Sequence, residues 1–148
     1  MPRLVREQFL ARPRLEVFAF FTDVANLARI TPDFLHFTIL TPLPLEMAAG
    51  ALIDYRLRLF GIPFQWQTRI ETFAPPERFS DIQAHGPYRS WRHLHEFEER
   101  DGGTLMRDTV DYALPLGPLG AVAHALLVRR SVARIFDHRR EVLAREFA

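Results

Sequence analysis

Residues 90–114 read SWRHLHEFEERDGGTLMRDTVDYAL, and this stretch decides the fold. Apolar and charged side chains alternate with a period of two on both sides of Asp101-Gly102, a dipeptide typical of tight β-turns. The pattern therefore predicts a hairpin of two long antiparallel strands. A turn centred on Asp101-Gly102 also predicts the cross-strand pairs, which are Trp91 with Tyr112, His93 with Val110, His95 with Asp108, and Phe97 with Met106.

The two faces of this hairpin differ in character. One face carries only charged groups at its centre and is predicted to face solvent: Arg92, Glu96, Glu98, Arg107 and Asp111. The other face mixes aromatic side chains with histidines. A preceding turn near Pro87 places Asp81 opposite His93 and Gln83 opposite Trp91. The inner wall is therefore predicted to hold six polar side chains, namely Asp81, Gln83, His93, His95, Asp108 and Tyr112.

This inner wall is too polar for an ordinary core, because buried polar groups need partners. One interpretation is purely structural, with His95–Asp108 and His93–Asp81 as self-satisfied pairs. A second is that these groups bind the polar end of a mostly apolar ligand. The predicted ligand-binding residues are then Tyr55, Trp66, Asp81, Gln83, Trp91, His93, His95, Asp108 and Tyr112. A third is general acid–base catalysis by His95 with Asp108.

A metal site is a further possibility on this wall, but the sequence favours its absence. His93 and His95 point the same way on one strand, and Asp108 would complete a set of two histidines and one carboxylate. Each histidine is equally suited to donate a hydrogen bond to a neighbouring carboxylate. We therefore predict no metal. No cofactor is predicted either, and the sequence has no Gly-rich phosphate loop; the absence of a Gly-x-Ser-x-Gly motif gives no sign of a serine nucleophile.

The rest of the chain follows the order strand, two short helices, a six-stranded meander and one long helix. The first strand covers 3–10, and Pro13 marks the start of the helical segment, which Pro32 ends. The long helix is predicted over 121–146. Its broad apolar face is predicted to hold Val122, Leu126, Ala133, Phe136 and Leu143, with Val128, Val132, Ile135 and Val142 in a neighbouring stripe. The predicted strands of the meander are 37–41, 51–59, 64–71, 78–84, 90–99 and 104–114.

The composition indicates one compact domain over residues 1–148. The chain is 48% hydrophobic and 25% charged and has no cysteine. Its 19 basic residues are all arginine, against 18 Asp+Glu. This balance gives no basic patch for nucleic acid, and Arg129-Arg130 and Arg139-Arg140 are predicted to lie on a solvated helix face. No apolar run is long enough to span a membrane, so a cytoplasmic location is expected.

The sequence resembles the START-like, or SRPBCC, superfamily, and within it a bacterial ligand-binding branch related to polyketide cyclases and dehydrases. The resemblance covers the whole chain and implies an α+β helix-grip fold, in which a curved antiparallel sheet of about seven strands wraps a long C-terminal helix. The stretches that carry it are VFAFF at 17–21, ITP at 30–32, GALIDYRL at 50–57, GIP at 61–63, PPERF at 75–79, GPYRSWRHLH at 86–95 and LPLGPLG at 114–120.

The resemblance and the inner wall together favour binding of a small hydrophobic molecule, such as a lipid, quinone, isoprenoid or polyketide. An alternative is a cyclase or dehydratase that uses His95 and Asp108. Another is a module that binds an epimerase-like enzyme through an exposed apolar surface around 42–47.

Overall fold

A computed structural model describes residues 2–148, which form a seven-stranded antiparallel sheet packed on helices. The strands lie in the order β1-β7-β6-β5-β4-β3-β2, so the last six form a continuous meander and β1 is added at the β7 edge. The predicted α+β helix-grip fold is confirmed. The strands are β1 Arg3–Leu10, β2 Thr38–Ile39, β3 Leu52–Leu59, β4 Ile62–Ala74, β5 Arg78–His85, β6 Ser90–Arg100 and β7 Gly103–Ala113.

The predicted register of the β6–β7 hairpin is confirmed. Trp91 pairs with Tyr112, His93 with Val110, His95 with Asp108 and Phe97 with Met106. In the neighbouring pair of strands, Asp81 lies opposite His93 as expected. The β5–β6 pairing ends at Ile82 and Arg92, however, so Gln83 does not pair with Trp91 but with Thr68 of β4.

Strand β4 is longer than the sequence predicted, and its pairing with β5 is irregular at two points. The register against β5 shifts between Gln67 and Thr68 and again between Ile70 and Thr72. Such irregularities bend a strand and increase its twist, so the sheet curves at this point. The alternation of buried side chains continues through Trp66, Thr68 and Ile70 but breaks at the second shift, where Phe73 rather than Thr72 packs against the core, and the predicted strand ended there, at residue 71.

The helices lie on one face of the sheet. They are α1 Arg14–Thr22, α2 Ala25–Arg29, α3 Gly117–Ala123 and α4 Arg129–Glu146, with a 3₁₀ turn at Asp33–Leu35 and a π-helical turn at His124–Val128 between α3 and α4. The C-terminal helical segment begins at Gly117 rather than 121, because Pro118 is tolerated in a first helical turn.

The π-helical turn also changes which side of the helical segment is buried. A π turn contains one more residue than an α turn, so the faces before and after it are out of phase. Val122 and Leu126, predicted to be buried, are 58% and 66% exposed. The residues of α4 and the π turn that are buried against the sheet are Val128, Val132, Phe136, Arg139 and Leu143.

The main core cluster lies between α1, the C-terminal half of α4 and the central strands. Phe18 of α1 sits among Phe73, Phe79 and Phe97 of three successive strands, with ring centroids 5.2–5.9 Å apart. Leu143 of α4 belongs to the same cluster and is fully buried. The helix is thus held on the sheet by interdigitated apolar side chains.

We expect Leu143→Ala to lower the free energy of unfolding by about 2–5 kcal/mol, because it leaves a cavity at a fully buried position. Leu119→Ala is the matched control, since Leu119 is 72% exposed and its truncation should change stability by less than about 0.5 kcal/mol. Urea titration of both variants measures the difference. Equal losses would show that the helical segment is seated on the sheet by a different face.

Candidate functional site

Four ionisable side chains meet under the centre of the sheet. Asp81 of β5, His93 and His95 of β6, and Asp108 of β7 project from neighbouring strands toward α4, as the strand register requires. Both histidines and Asp108 are buried, and Asp81 is half-buried. The predicted inner wall therefore holds a compact cluster of two imidazoles and two carboxylates.

The hydrogen bonds in this cluster run diagonally across the strands, not between directly opposite residues. His93 Nε2 lies 2.8 Å from Asp108 Oδ1, and His95 Nε2 lies 2.7 Å from Asp81 Oδ2. The predicted pairing, His95 with Asp108 and His93 with Asp81, is therefore wrong although the register is right. The reason is that an imidazole is long enough to reach the diagonal neighbour. The two imidazole rings stack on each other with centroids 3.6 Å apart.

A fifth member of the cluster, Arg139 of α4, was not expected there. Its side chain is only 8% exposed, and its Nη2 donates to Asp108 Oδ1 at 3.1 Å and to His95 Nδ1 at 3.4 Å. The guanidinium also lies over the rings of Phe21 and Phe136, at 5.0 and 5.5 Å. The prediction of a solvated Arg139-Arg140 pair is thus wrong for Arg139. The helical spacing from Val132 to Leu143, on which Arg139 falls, carried the signal that could have placed it.

These contacts set the protonation of the cluster. Because Nδ1 of His95 accepts from Arg139, the ring proton lies on Nε2 and is donated to Asp81. Burial, followed by repulsion from His93 and Arg139, lowers the pKa of His95 well below its ordinary value, so the ring is neutral. Burial alone would raise the pKa of Asp108, but Arg139 and the hydrogen bond from His93 hold it well below the usual range. Burial raises the pKa of Asp81.

The cluster forms the polar end of a cavity of about 170 Å³ between the sheet and the helices. The cavity is lined mainly by apolar side chains of β3, β4, α1 and α2, and by Ile135, Phe136 and Arg139 of α4. Six of the nine predicted site residues line it: Tyr55, Trp66, Asp81, Trp91, His93 and His95.

The other three predicted site residues do not line this cavity, and each has a partner elsewhere. Gln83 binds the backbone of Tyr88 in the turn before β6. Asp108 lies behind the imidazoles, between His93 and Arg139. Tyr112 is buried, and its hydroxyl lies 2.7 Å from His124 Nε2. Their inward direction was predicted correctly, but strand alternation does not say which part of the interior is hollow.

The sequence analysis missed Thr68, which joins two predicted wall residues. Its hydroxyl accepts a hydrogen bond from Trp66 Nε1 at 3.1 Å and lies 2.8 Å from the hydroxyl of Tyr55. Thr68 lies on the inward face of β4, between Trp66 and Ile70, and lines the cavity. The alternation of β4 was sufficient to find it.

The segment 42–47, predicted as an exposed partner surface, is partly internal. Leu45 and Met47 pack against the core cluster of Val24, Ile53 and Ile70, and Met47 also lines the cavity. Of its large apolar side chains only Leu43 is substantially exposed, at 43%.

The carboxylate best placed to join the histidines around an ion is Asp81, and not Asp108 as the sequence suggested. Asp81, His93 and His95 each offer one ligand atom, and these atoms all lie within 4.8 Å of one another. The two rings lie in nearly parallel planes, with an interplanar angle of 25°, and each Nε2 is already hydrogen-bonded to a carboxylate. Coordination of an ion through either Nε2 would replace that hydrogen bond.

A curved antiparallel sheet closed by a C-terminal helix over an apolar cavity is the architecture of the START-like, helix-grip class. The chain belongs to the family described as polyketide cyclase / dehydrase and lipid transport, whose model matches residues 10–136. The SRPBCC resemblance is therefore confirmed. No curated protein matches the chain significantly.

Solved structures agree with this fold. The protein TTHA0849 from Thermus thermophilus matches with a TM-score of 0.75 and 14% identity, covering 99% of this chain and 100% of that one. Ms6760 from Mycobacterium smegmatis matches with a TM-score of 0.69 and 18% identity, covering 96% of this chain and 88% of that one. A nucleoside-diphosphate sugar epimerase from Corynebacterium glutamicum matches with a TM-score of 0.71 and 26% identity, covering 96% of this chain but only 28% of the epimerase. Within residues 2–148, no helix has the length and apolar character to cross a membrane.

We expect Arg139→Met to lower the free energy of unfolding by about 3–5 kcal/mol, because it leaves Asp108 buried without a cation. Asp108→Asn in the same chain should restore part of this loss, since no buried charge then remains. Urea titrations of the two single variants and the double variant form the cycle that measures the coupling. Arg130→Met, at an exposed position on the same helix, is the control and should change stability by less than about 0.5 kcal/mol. Additive single effects would contradict the pairing.

We also expect His95→Gln to flatten the dependence of stability on acid pH. A neutral buried His95 contributes stability that is complete above the unfolded-state pKa of 6.5 and is lost as pH falls below it, because only the unfolded chain then binds a proton. The loss from one such group is at most about 1.4 kcal/mol per pH unit. A glutamine amide can donate to Asp81 and accept from Arg139 without titrating. The slope of stability against pH is measured from urea midpoints at several pH values between about 7.5 and 5.5, for the wild type and for His95→Gln. The control is His85→Gln, at an exposed position of β5, which should keep the wild-type slope. Parallel curves for wild type and His95→Gln would refute this assignment.

Proposed function

We propose that the protein binds a small, mostly apolar ligand with one polar end in the cavity between the sheet and the helices. The observation that carries this proposal is the placement of Asp81, His93 and His95 at one end of a cavity whose other walls are mainly apolar. Sites for small molecules characteristically combine an apolar lining with a few convergent polar groups. Family membership supports hydrophobic ligand binding at this coarse level.

The size of the cavity narrows the class of ligand. An apolar cavity of about 150 Å³ holds a benzene molecule, and the cavity here measures about 170 Å³. Its aromatic lining, including Tyr55, Trp66 and Trp91, is suited to the face or edge of a flat ring. We therefore propose a compact ring compound, of the kind found in quinones and aromatic polyketides, in preference to a long-chain lipid.

The test places a tryptophan at a position of β3 that lines the cavity, so that its side chain fills the cavity. The control places a tryptophan at an outward position of the same strand. Leu59 lines the cavity and Leu52 points out of it, at 46% exposure. In Leu59→Trp we expect loss of binding of para-ethylanisole, a neutral ring probe, whereas Leu52→Trp should bind it as wild type does. Ligand-observed NMR measures the affinity, and native mass spectrometry of detergent-free wild-type protein identifies any co-purified molecule. Absence of probe binding to the wild type would refute the proposal.

One observation favours a second candidate function, proton abstraction within a bound ketone. His93 Nε2 is held by the buried Asp108, and its Nδ1 makes no hydrogen bond with the residues 2–148 although His93 lines the cavity. A carboxylate that orients an imidazole in this way leaves the other ring nitrogen available as a base. The base proposed is therefore His93, not His95. It would take a proton from the carbon next to a carbonyl, and the electron pair left on carbon would move to the carbonyl oxygen.

Hydrogen–deuterium exchange tests this chemistry without knowledge of the natural substrate. We expect the wild type to accelerate deuterium incorporation into the acetyl group of para-ethylacetophenone by about a hundredfold or more over the rate in buffer alone. NMR in deuterated buffer measures this exchange. His93→Gln should abolish the acceleration while still binding para-ethylanisole, and His85→Gln should retain it. Exchange at the buffer rate with saturating wild-type protein would exclude the base.

A further inference from the structure

We infer that the polar end of the cavity recognises a hydrogen-bond donor, so that it selects neutral hydroxylated ring compounds, such as phenols or enols, and rejects the corresponding carboxylates. This inference rests on the proposed ligand-binding function and specifies its ligand class. It follows from which polar atoms of the cluster already have protein partners and which still face the cavity.

The available acceptor is the carboxylate of Asp81. Its Oδ2 accepts from His95 at 2.7 Å, whereas its Oδ1 makes no hydrogen bond with any described residue of the chain. The Asp81 side chain is 17% exposed, the largest value in the cluster, against 6% for each histidine and 3% for Asp108. A group that enters the polar end of the cavity therefore meets a carboxylate oxygen with an unused lone pair.

Arg139 also lines the cavity, but its charge is already compensated by Asp108. Nη2 of Arg139 donates to Asp108 and to His95, and its Nε is sealed from solvent without a partner among residues 2–148. The rings of Phe21 and Phe136 lie over the guanidinium. Arg139 thus compensates Asp108, and Asp81 at the cavity surface has no arginine hydrogen-bonded to it among residues 2–148.

A donor lines the same cavity as this acceptor. Tyr55 and Thr68 share one hydrogen bond, and Thr68 also accepts from Trp66, so one of the two hydroxyl hydrogens is not used within the group. Burial chiefly raises the pKa of Tyr55, and the charge of Asp81 adds to this effect, which keeps the phenol neutral and able to donate. The cavity therefore offers a carboxylate acceptor for a ligand hydroxyl and a hydroxyl donor for a carbonyl or ether oxygen, whereas a ligand carboxylate would face the charge of Asp81.

Three ring compounds of one size test this selectivity. At pH 8, para-ethylphenol offers a donor, para-ethylanisole only an acceptor, and para-ethylbenzoate a negative charge. We expect wild-type affinity to fall in that order, with the phenol bound at least about tenfold more tightly than the benzoate, which corresponds to about 1.4 kcal/mol. Ligand-observed NMR or calorimetry measures the three dissociation constants.

Asp81→Asn identifies the residue responsible. The asparagine keeps an acceptor for His95 but removes the negative charge. The ratio of the affinity for the phenol to the affinity for the benzoate should therefore fall severalfold, mainly because the benzoate binds more tightly. Asp137→Asn is the matched control, because Asp137 lies at an exposed position of α4 and should leave the ratio unchanged. If the Asp81→Asn variant does not fold, the ratio of phenol affinity to benzoate affinity in the wild type alone tests the donor selectivity.

The possible failures are distinguishable. If none of the three probes binds to the wild type, the proposed ligand-binding function fails. If the anisole binds but the benzoate binds as tightly as the phenol or more tightly, the function stands and the donor selectivity is overturned. An unchanged ratio in folded Asp81→Asn overturns the role of Asp81.

Discussion

The ion pair between Asp108 and Arg139 is the contact on which the rest of the site depends. A carboxylate at the centre of the sheet, 3% exposed, is tolerated only with a partner that compensates its charge. The partner comes from the opposite layer, since Arg139 reaches Asp108 from α4. Whereas apolar contacts allow a helix to slide on a sheet, this directional contact defines one position of α4 along β7.

The same contact divides the two carboxylates between different tasks. Asp108 is enclosed by His93 and Arg139, so it orients groups without meeting the contents of the cavity. Among the described residues, Asp81 bonds only to His95, and it remains partly exposed at the cavity surface. The stacked imidazoles lie between the two and separate the structural side of the cluster from the side that faces the cavity. An arrangement that seemed too polar for a core is therefore in part a core ion pair and in part the wall of a cavity.

The sequence was sufficient for the fold and for the direction of most of these side chains. Asp101-Gly102 and the alternation on either side of it determine the β6–β7 register, and with it the inward direction of His93, His95 and Asp108. What the alternation does not specify is the choice between opposite and diagonal partners, because both lie within reach of an imidazole. Two local irregularities were also hidden: the register shift in β4 after Ile70 and the π-helical turn, each of which moves side chains to another face. Thr68 and Arg139 could have been predicted from the sequence. The alternation of β4 places Thr68 inward, and the helical spacing from Val132 to Leu143 places Arg139 inward.

Binding and catalysis need not be alternative designs at this site, because they differ in the acidity of the ligand more than in the protein. Suppose that a ligand places an O–H group near Asp81 and His93. The proton then stays on the ligand, and the contact is a hydrogen bond that contributes to affinity and specificity. If the group is instead an acidic C–H next to a carbonyl, the proposed chemistry has Nδ1 of His93 remove the proton. The unused hydroxyl hydrogen of Tyr55 or Thr68 is then available for the developing oxyanion. The family description combines cyclase, dehydrase and lipid transport. One polar cluster at the end of an apolar cavity is a physical basis on which such different activities can arise from a single fold.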